Sequence, residues 1–172
     1  TVTVGPTAVL KASSNGGTFK IKAGDLTIQG LLQAPGGIPL SGEGILIEVT
    51  GNFKTESVSN SPGTIDVKAK APATIYGCVN IAAGGTATLL GKEIDADSGS
   101  ATDAGNIVIR AASISVGVSS ALHANGTGGA GYGLITLDAT NGDANIAGPI
   151  SANGGGELAY GGEIDLWATG KI

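Results

Sequence analysis

One frame recurs along the 172-residue chain: a glycine, then apolar residues at alternate positions, closing on alanine. It reads Gly17-Thr-Phe19-Lys-Ile21-Lys-Ala23, Gly63-Thr-Ile65-Asp-Val67-Lys-Ala69 and Gly105-Asn-Ile107-Val-Ile109-Arg-Ala111. It returns as Gly133-Leu-Ile135-Thr-Leu137-Asp-Ala139 and Gly162-Glu-Ile164-Asp-Leu166-Trp-Ala168, with a looser copy at Gly44-Ile45-Leu-Ile47-Glu-Val49. Period 2 is the period of a strand with one buried face. A strand that returns every few tens of residues, with glycine-rich stretches between copies, marks a stacked β-solenoid.

Starts at 17, 44, 63, 105, 133 and 162, with a weaker one at Gly85, divide the chain into about seven rungs of 19–29 residues. A second apolar strand follows the first, as in Leu26/Ile28, Ile75, Ile114/Val116 and Ile146. A third carries an apolar residue and then alanine: Leu10/Ala12, Leu32/Ala34, Ile81/Ala83, Ile94/Ala96, Leu122/Ala124 and Ile150/Ala152. Three short strands per rung predict a triangular parallel coil, all-β and in a single domain over 1–172. The inward set is Phe19, Ile21, Ile45, Ile47, Ile65, Val67, Ile107, Ile109, Ile135, Leu137, Ile164 and Leu166. Lys22, Glu48, Lys68, Arg110 and Asp138 share one outward frame position. The absence of Met, six aromatics in all and 31 glycines suit a narrow coil with short inward side chains and tight corners.

The repeated Gly-x-Ile-x-Leu-x-Ala frame, a second strand, an Ile-x-Ala third strand and a glycine-rich loop resemble the repeat region of filamentous-haemagglutinin-type secreted proteins. The clearest copies run from Gly105 to Gly129 and from Gly133 to Gly162. The resemblance implies a right-handed parallel β-helix on a bacterial surface, used for adhesion or as a stalk. Cell-surface glycans are a candidate partner beside further copies of the chain.

Nine basic residues against fourteen acidic ones, with Arg110 the only arginine, do not make a phosphate-binding surface, so no nucleic acid is expected. No segment has the run of about 20 apolar residues that a membrane helix needs, so no integral membrane protein is expected either. The opening at Thr1 fits a processed mature chain or a piece of a longer one. Cys78 is the only cysteine, and no intrachain disulfide is available.

The residues do not spell a catalytic constellation, and neither an enzyme nor a cofactor is expected. His123, between Leu122 and Ala124, should face solvent, without a second histidine for zinc. The acidic cluster Glu93, Asp95, Asp97 and Asp103 is the one calcium candidate, with Asp95 and Asp97 pointing outward around Ala96. Tyr132 and Tyr160 precede successive rung starts and form a candidate surface-contact edge; Trp167 has outward parity. Asn125-Gly126-Thr127 is a formal glycosylation sequon, and Thr-x-Thr is too rare for an ice-binding face. The alternative to a structural role is a carbohydrate-active or carbohydrate-binding module, carried by fold analogy.

The ends complement each other in sequence. The frame from Gly162 to Ile172, followed by Thr1 to Gly16, yields first strand, second strand, third strand and loop in the usual order. The expectation is a head-to-tail stack of copies, or a tandem array, with Val2, Val4, Leu166, Trp167 and Ile172 at the junction and assembly lost when Thr1 to Val4 are deleted.

Overall fold

The protein is described by a computed structural model covering residues 1–12, 18–34, 44–59, 61, 63–68, 77–98, 104–126, 131, 133–155 and 161–172. Its described elements are all strands. The chain opens with β1 (Val2–Val4) and β2 (Val9–Lys11). Five triplets follow: β3 (Phe19–Ala23), β4 (Leu26–Ile28), β5 (Leu31–Gln33); β6 (Ile45–Val49), β7 (Phe53–Glu56), β8 (Thr64–Asp66); β9 (Val79–Ala83), β10 (Thr86–Leu90), β11 (Glu93–Asp95). Then come β12 (Asn106–Ala111), β13 (Ser113–Val116), β14 (Ala121–His123); β15 (Leu134–Ala139), β16 (Ala144–Ile146), β17 (Ile150–Ser151); and finally β18 (Glu163–Ala168).

Every third strand pairs, in parallel, into one of three six-stranded sheets: β3-β6-β9-β12-β15-β18, β1-β4-β7-β10-β13-β16 and β2-β5-β8-β11-β14-β17. This is the expected solenoid with three strands per turn. The number of turns is smaller than the frame suggests, about five from β3 to β18. Phe19 pairs with Ile45, Ile45 with Val79, Val79 with Ile107, Ile107 with Ile135 and Ile135 with Ile164. The turns therefore take 26, 34, 28, 28 and 29 residues.

The two extra starts have a physical origin. The Gly63 frame lies in the third sheet, where Ile65 pairs with Leu32 and Ile94. The Gly85 frame is a second strand, where Ala87 pairs with Phe53 and Ile114. Ile81 and Ala83, expected in a third strand, lie in first-sheet β9. Ile75, expected in a second strand, lies outside the described residues. All three sheets present the same apolar alternation to one core, so the pattern marks strands but does not name the sheet. For the same reason Lys68 leaves the outward column of Lys22 and Glu48, and Ala82 takes that place.

The core fills with Ile, Val, Leu and stacked Ala, and Phe53 is its one fully buried aromatic among the described residues. Ile45, Ile47, Ile65, Val67, Ile107, Ile109, Ile135 and Leu137 are completely enclosed, as the alternation predicts. Phe19, Ile21, Ile164 and Leu166 are not, because β3 and β18 are sheet edges with a turn on one side only. Glycine opens the frame because the corner is crowded: a Cβ on Gly105 would lie 1.7 Å from the carbonyl oxygen of Gly77. Gly63 has a different reason, a φ of 58° that side-chain-bearing residues rarely adopt.

Candidate assembly surfaces at the two ends

The strand order puts β1, β2 and β3 at one end of the coil and β16, β17 and β18 at the other. Inward side chains that are enclosed in the middle turns become accessible in these layers. Val2 is 44% exposed and Leu10 39% at the first end; Ile164 is 42% exposed and Ile172 70% at the second. Leu166, Ile146 and Ile150 are half-buried there. Val4, also expected at the junction, is mostly covered within its own end layer. Trp167 is 63% exposed on the outer face, as its parity requires. A groove of about 550 Å³ lies against β16, lined by residues that include Val116, Val118, Ala144, Ile146 and Ile172.

The strands at the two ends carry opposite charge, although Asp25 lies at the turn after β3 and Lys171 at the C-terminal end. Lys11, Lys20 and Lys22 lie outward on β2 and β3, and β1 to β3 contain no acid. Glu163 and Asp165 lie on β18, and β16 to β18 contain no base. Glu48 serves both lysines of β3, at 3.6 Å from Lys20 and 2.6 Å from Lys22. The hydrogen bond from Lys22 chiefly holds the Glu48 carboxyl below its ordinary range. Two ammonium groups thus share one carboxylate, leaving an excess positive charge on that edge.

The last residues continue the register of the second sheet. Asn52 donates its backbone N–H to Asp25 Oδ1 at 2.8 Å, and Thr86 donates to Asn52 Oδ1 at 2.9 Å. Lys171 donates in the same way to Asp143 Oδ1 at 2.8 Å, and its carbonyl accepts the N–H of Ala144 at 2.8 Å. Lys171 and Ile172 therefore begin the strand that would follow β16. They hold the positions that Thr1 and Val2 hold against Asp25 and Leu26 at the other end.

The third sheet carries a polar column on its outer face: Gln33, Asp66, Asp95, His123 and Ser151. Gln33 donates to Asp66 at 2.7 Å, and His123 Nδ1 lies 2.9 Å from the Ser151 hydroxyl. Beside it runs a corner ladder. Asp97 Oδ1 accepts the N–H of Asn125 at 2.6 Å; Asn125 Oδ1 accepts the N–H of Asn153 at 3.0 Å. The Asn125 side chain also donates to Ser151 Oγ at 3.0 Å. Asp95, His123 and Ser151 are the residue types of a hydrolytic triad. Here Asp95 instead accepts the Asp97 N–H at 2.9 Å and faces Lys68, and Ser151 is tied into the ladder.

Of the calcium candidates, Asp95 and Asp97 are brought together as expected. The Lys68 ammonium lies 3.6 Å from one and 3.7 Å from the other, in the place that a cation would take. Burial is the main cause that raises the Asp95 carboxyl, and the charges on Asp97 and Asp66 add to it; the Asp97 N–H and Lys68 act to lower it. Among the described residues no group of three or more His, Cys, Asp or Glu side chains could hold a metal ion. Asp103, Tyr132 and Tyr160 lie outside the described residues. His123 is half-buried rather than fully solvent-facing, because the column packs around it.

Sequence reasoning did not single out Lys20, Glu163, Asp165 or Lys171. The signal was present: Lys20 and Asp165 occupy the same outward position of the frame, with opposite charge. No protein-family model matches the chain, and neither does any curated protein or solved structure.

Proposed function

We propose that this chain is a structural β-solenoid segment of an extracellular filament or adhesin, continued at its ends by further parallel turns of a second copy or of a tandem array. The observation that carries the reading is the state of the two end layers. The first end presents the edges of β1, β2 and β3, and the second those of β17, β18 and the part of β16 beyond Lys171, each together with apolar side chains of the kind that the middle turns enclose completely. Unpaired edges and an open core are what another parallel turn covers. Stacking of this kind is heterologous and does not close, so it builds a rod. The role is non-enzymatic, and the polar column of the third sheet serves register rather than chemistry. The extracellular setting rests on the resemblance of the repeat frame to secreted adhesins.

Electron microscopy over a range of protein concentrations tests the stacking. Rods that lengthen with concentration, with a fibre-diffraction repeat of about 4.8 Å along the axis, are expected. Particles of constant, single-copy length at every concentration would remove the self-stacking part of the reading.

A further inference from the structure

We infer that β18 of one copy pairs with β3 of a second copy in the register its own sheet already uses, and that this joint is selected by charge. The inference rests on the stacking reading above and specifies its partner and contact. The columns of the first sheet are fixed by pairing. One runs Phe19, Ile45, Val79, Ile107, Ile135, Ile164; the next runs Lys20, Leu46, Asn80, Val108, Thr136, Asp165. Adding one more turn in that register places Phe19 of the second copy on Ile164 and its Ile21 on Leu166. It places Lys20 opposite Asp165 and Lys22 opposite Trp167.

Each of these contacts has a counterpart inside the molecule. The apolar pairs repeat Ile107 on Ile135 and Ile109 on Leu137. The Lys20–Asp165 contact repeats the cross-strand ion pairs of Lys22 with Glu48 at 2.6 Å and Arg110 with Asp138 at 2.8 Å. The exposed Trp167 would stand opposite Lys22 in that register, where an ammonium and an indole can make a cation–π contact. Asp165 and Glu163 have no ion-pair partner among the described residues, while Lys20 and Lys22 divide a single carboxylate. Both sides of the joint thus hold charge that the isolated chain leaves uncompensated. The opposite ordering, β3 against β3 or β18 against β18, brings like charges together, which disfavours closed pairs and leaves the polar rod.

Charge exchange tests this. Asp165→Lys and Lys20→Asp are made separately and studied by sedimentation velocity and electron microscopy, with far-UV circular dichroism and thermal melts to establish that each variant folds. Each variant alone places like charges at the joint, and its association is expected to weaken about tenfold, the effect of turning an exposed attraction into a repulsion. Mixing the two restores rods. The lysine introduced on β18 of one variant then meets the aspartate introduced on β3 of the other, and at the next joint the unaltered Asp165 meets the unaltered Lys20. Restoration by mixing is the result that a general loss of solubility or fold does not give. If the unaltered chain forms rods and both variants do so equally well, the register is wrong while the stacking reading stands. If the unaltered chain forms no rods at any concentration, this joint and the stacking of copies fall together.

Discussion

The backbone N–H of Lys171 donates to Asp143 Oδ1 at 2.8 Å, repeating the bond that Asn52 makes to Asp25 at 2.8 Å. Lys171 and Ile172 consequently sit where Thr1 and Val2 of a stacked copy would sit. For separate copies the two segments compete for one seat on β16. Removing Lys171 and Ile172 should therefore tighten association severalfold, despite the loss of an exposed isoleucine, in equilibrium sedimentation. Weaker association would show Ile172 to be adhesive in its own right. In a covalent tandem the two segments become one strand: Ile172 takes the place opposite Leu26 that Val2 holds here, Val2 moves two residues along to the next inward place, and the joined turn keeps a length within the observed range.

Depth within the rod should decide the cost of a charge. Ile109 is fully enclosed, and Ile109→Asp buries a carboxylate without a partner; a loss of about 3–5 kcal/mol is expected. Ile164 has the same inward parity but is 42% exposed, and Ile164→Asp should cost the isolated chain less than about 1 kcal/mol. Urea unfolding of the two variants at a concentration that keeps the chain single checks this. Equal losses would contradict the end-layer assignment.

Gly105→Ala should cost about 2 kcal/mol or more, although alanine is the smallest change available. The added methyl meets the Gly77 carbonyl, which is backbone and cannot swing aside. A variant with an unchanged melting temperature would mean that the corner relaxes at no cost.

Asp95 gives a pH test. Its carboxyl is raised, so the folded chain binds that proton more tightly than the unfolded chain does. Stability from this group is then greatest at acid pH, and falls as pH rises from the ordinary aspartate value of about 3.9 through the raised one. Asp95→Asn keeps an acceptor for the Asp97 N–H and removes the charge. It should stabilise the fold at pH 7, with the gain vanishing at acid pH, where the carboxyl is protonated in both the folded and the unfolded chain. A loss at pH 7 would mean that the Lys68 contact outweighs burial. Glu56 behaves oppositely: its hydrogen bonds from Lys54 and then Gln29 hold it low, so its contribution is kept at neutral pH and lost on acidification.

The alternation of residues 105–111 and 133–139 was enough to read strands, inward faces and parallel stacking, because each requirement is local. Turn number was not local. Ile65 and Ile107 stand in identical frames, yet one lies in the third sheet and the other in the first, and only pairing partners 28 or more residues away distinguish them. The end surfaces were half-legible: Ile164, Leu166 and Trp167 follow from parity, whereas the opposition of Lys20 and Asp165 appears only when the columns are fixed. The Lys68 ammonium between Asp95 and Asp97 had no sequence signal, since its corner was assigned to a different column.

The parallel ladders have a mechanical consequence. Hydrogen bonds between turns run along the rod, so a pull along its axis loads all three sheets at one layer together. A pull through the chain itself starts at an end layer and peels one turn at a time. Each turn of 26–34 residues would release roughly 90–120 Å of slack at about 3.5 Å per residue. A stalk built this way yields in steps set by loop length, and its longest step belongs to the turn between Ile45 and Val79.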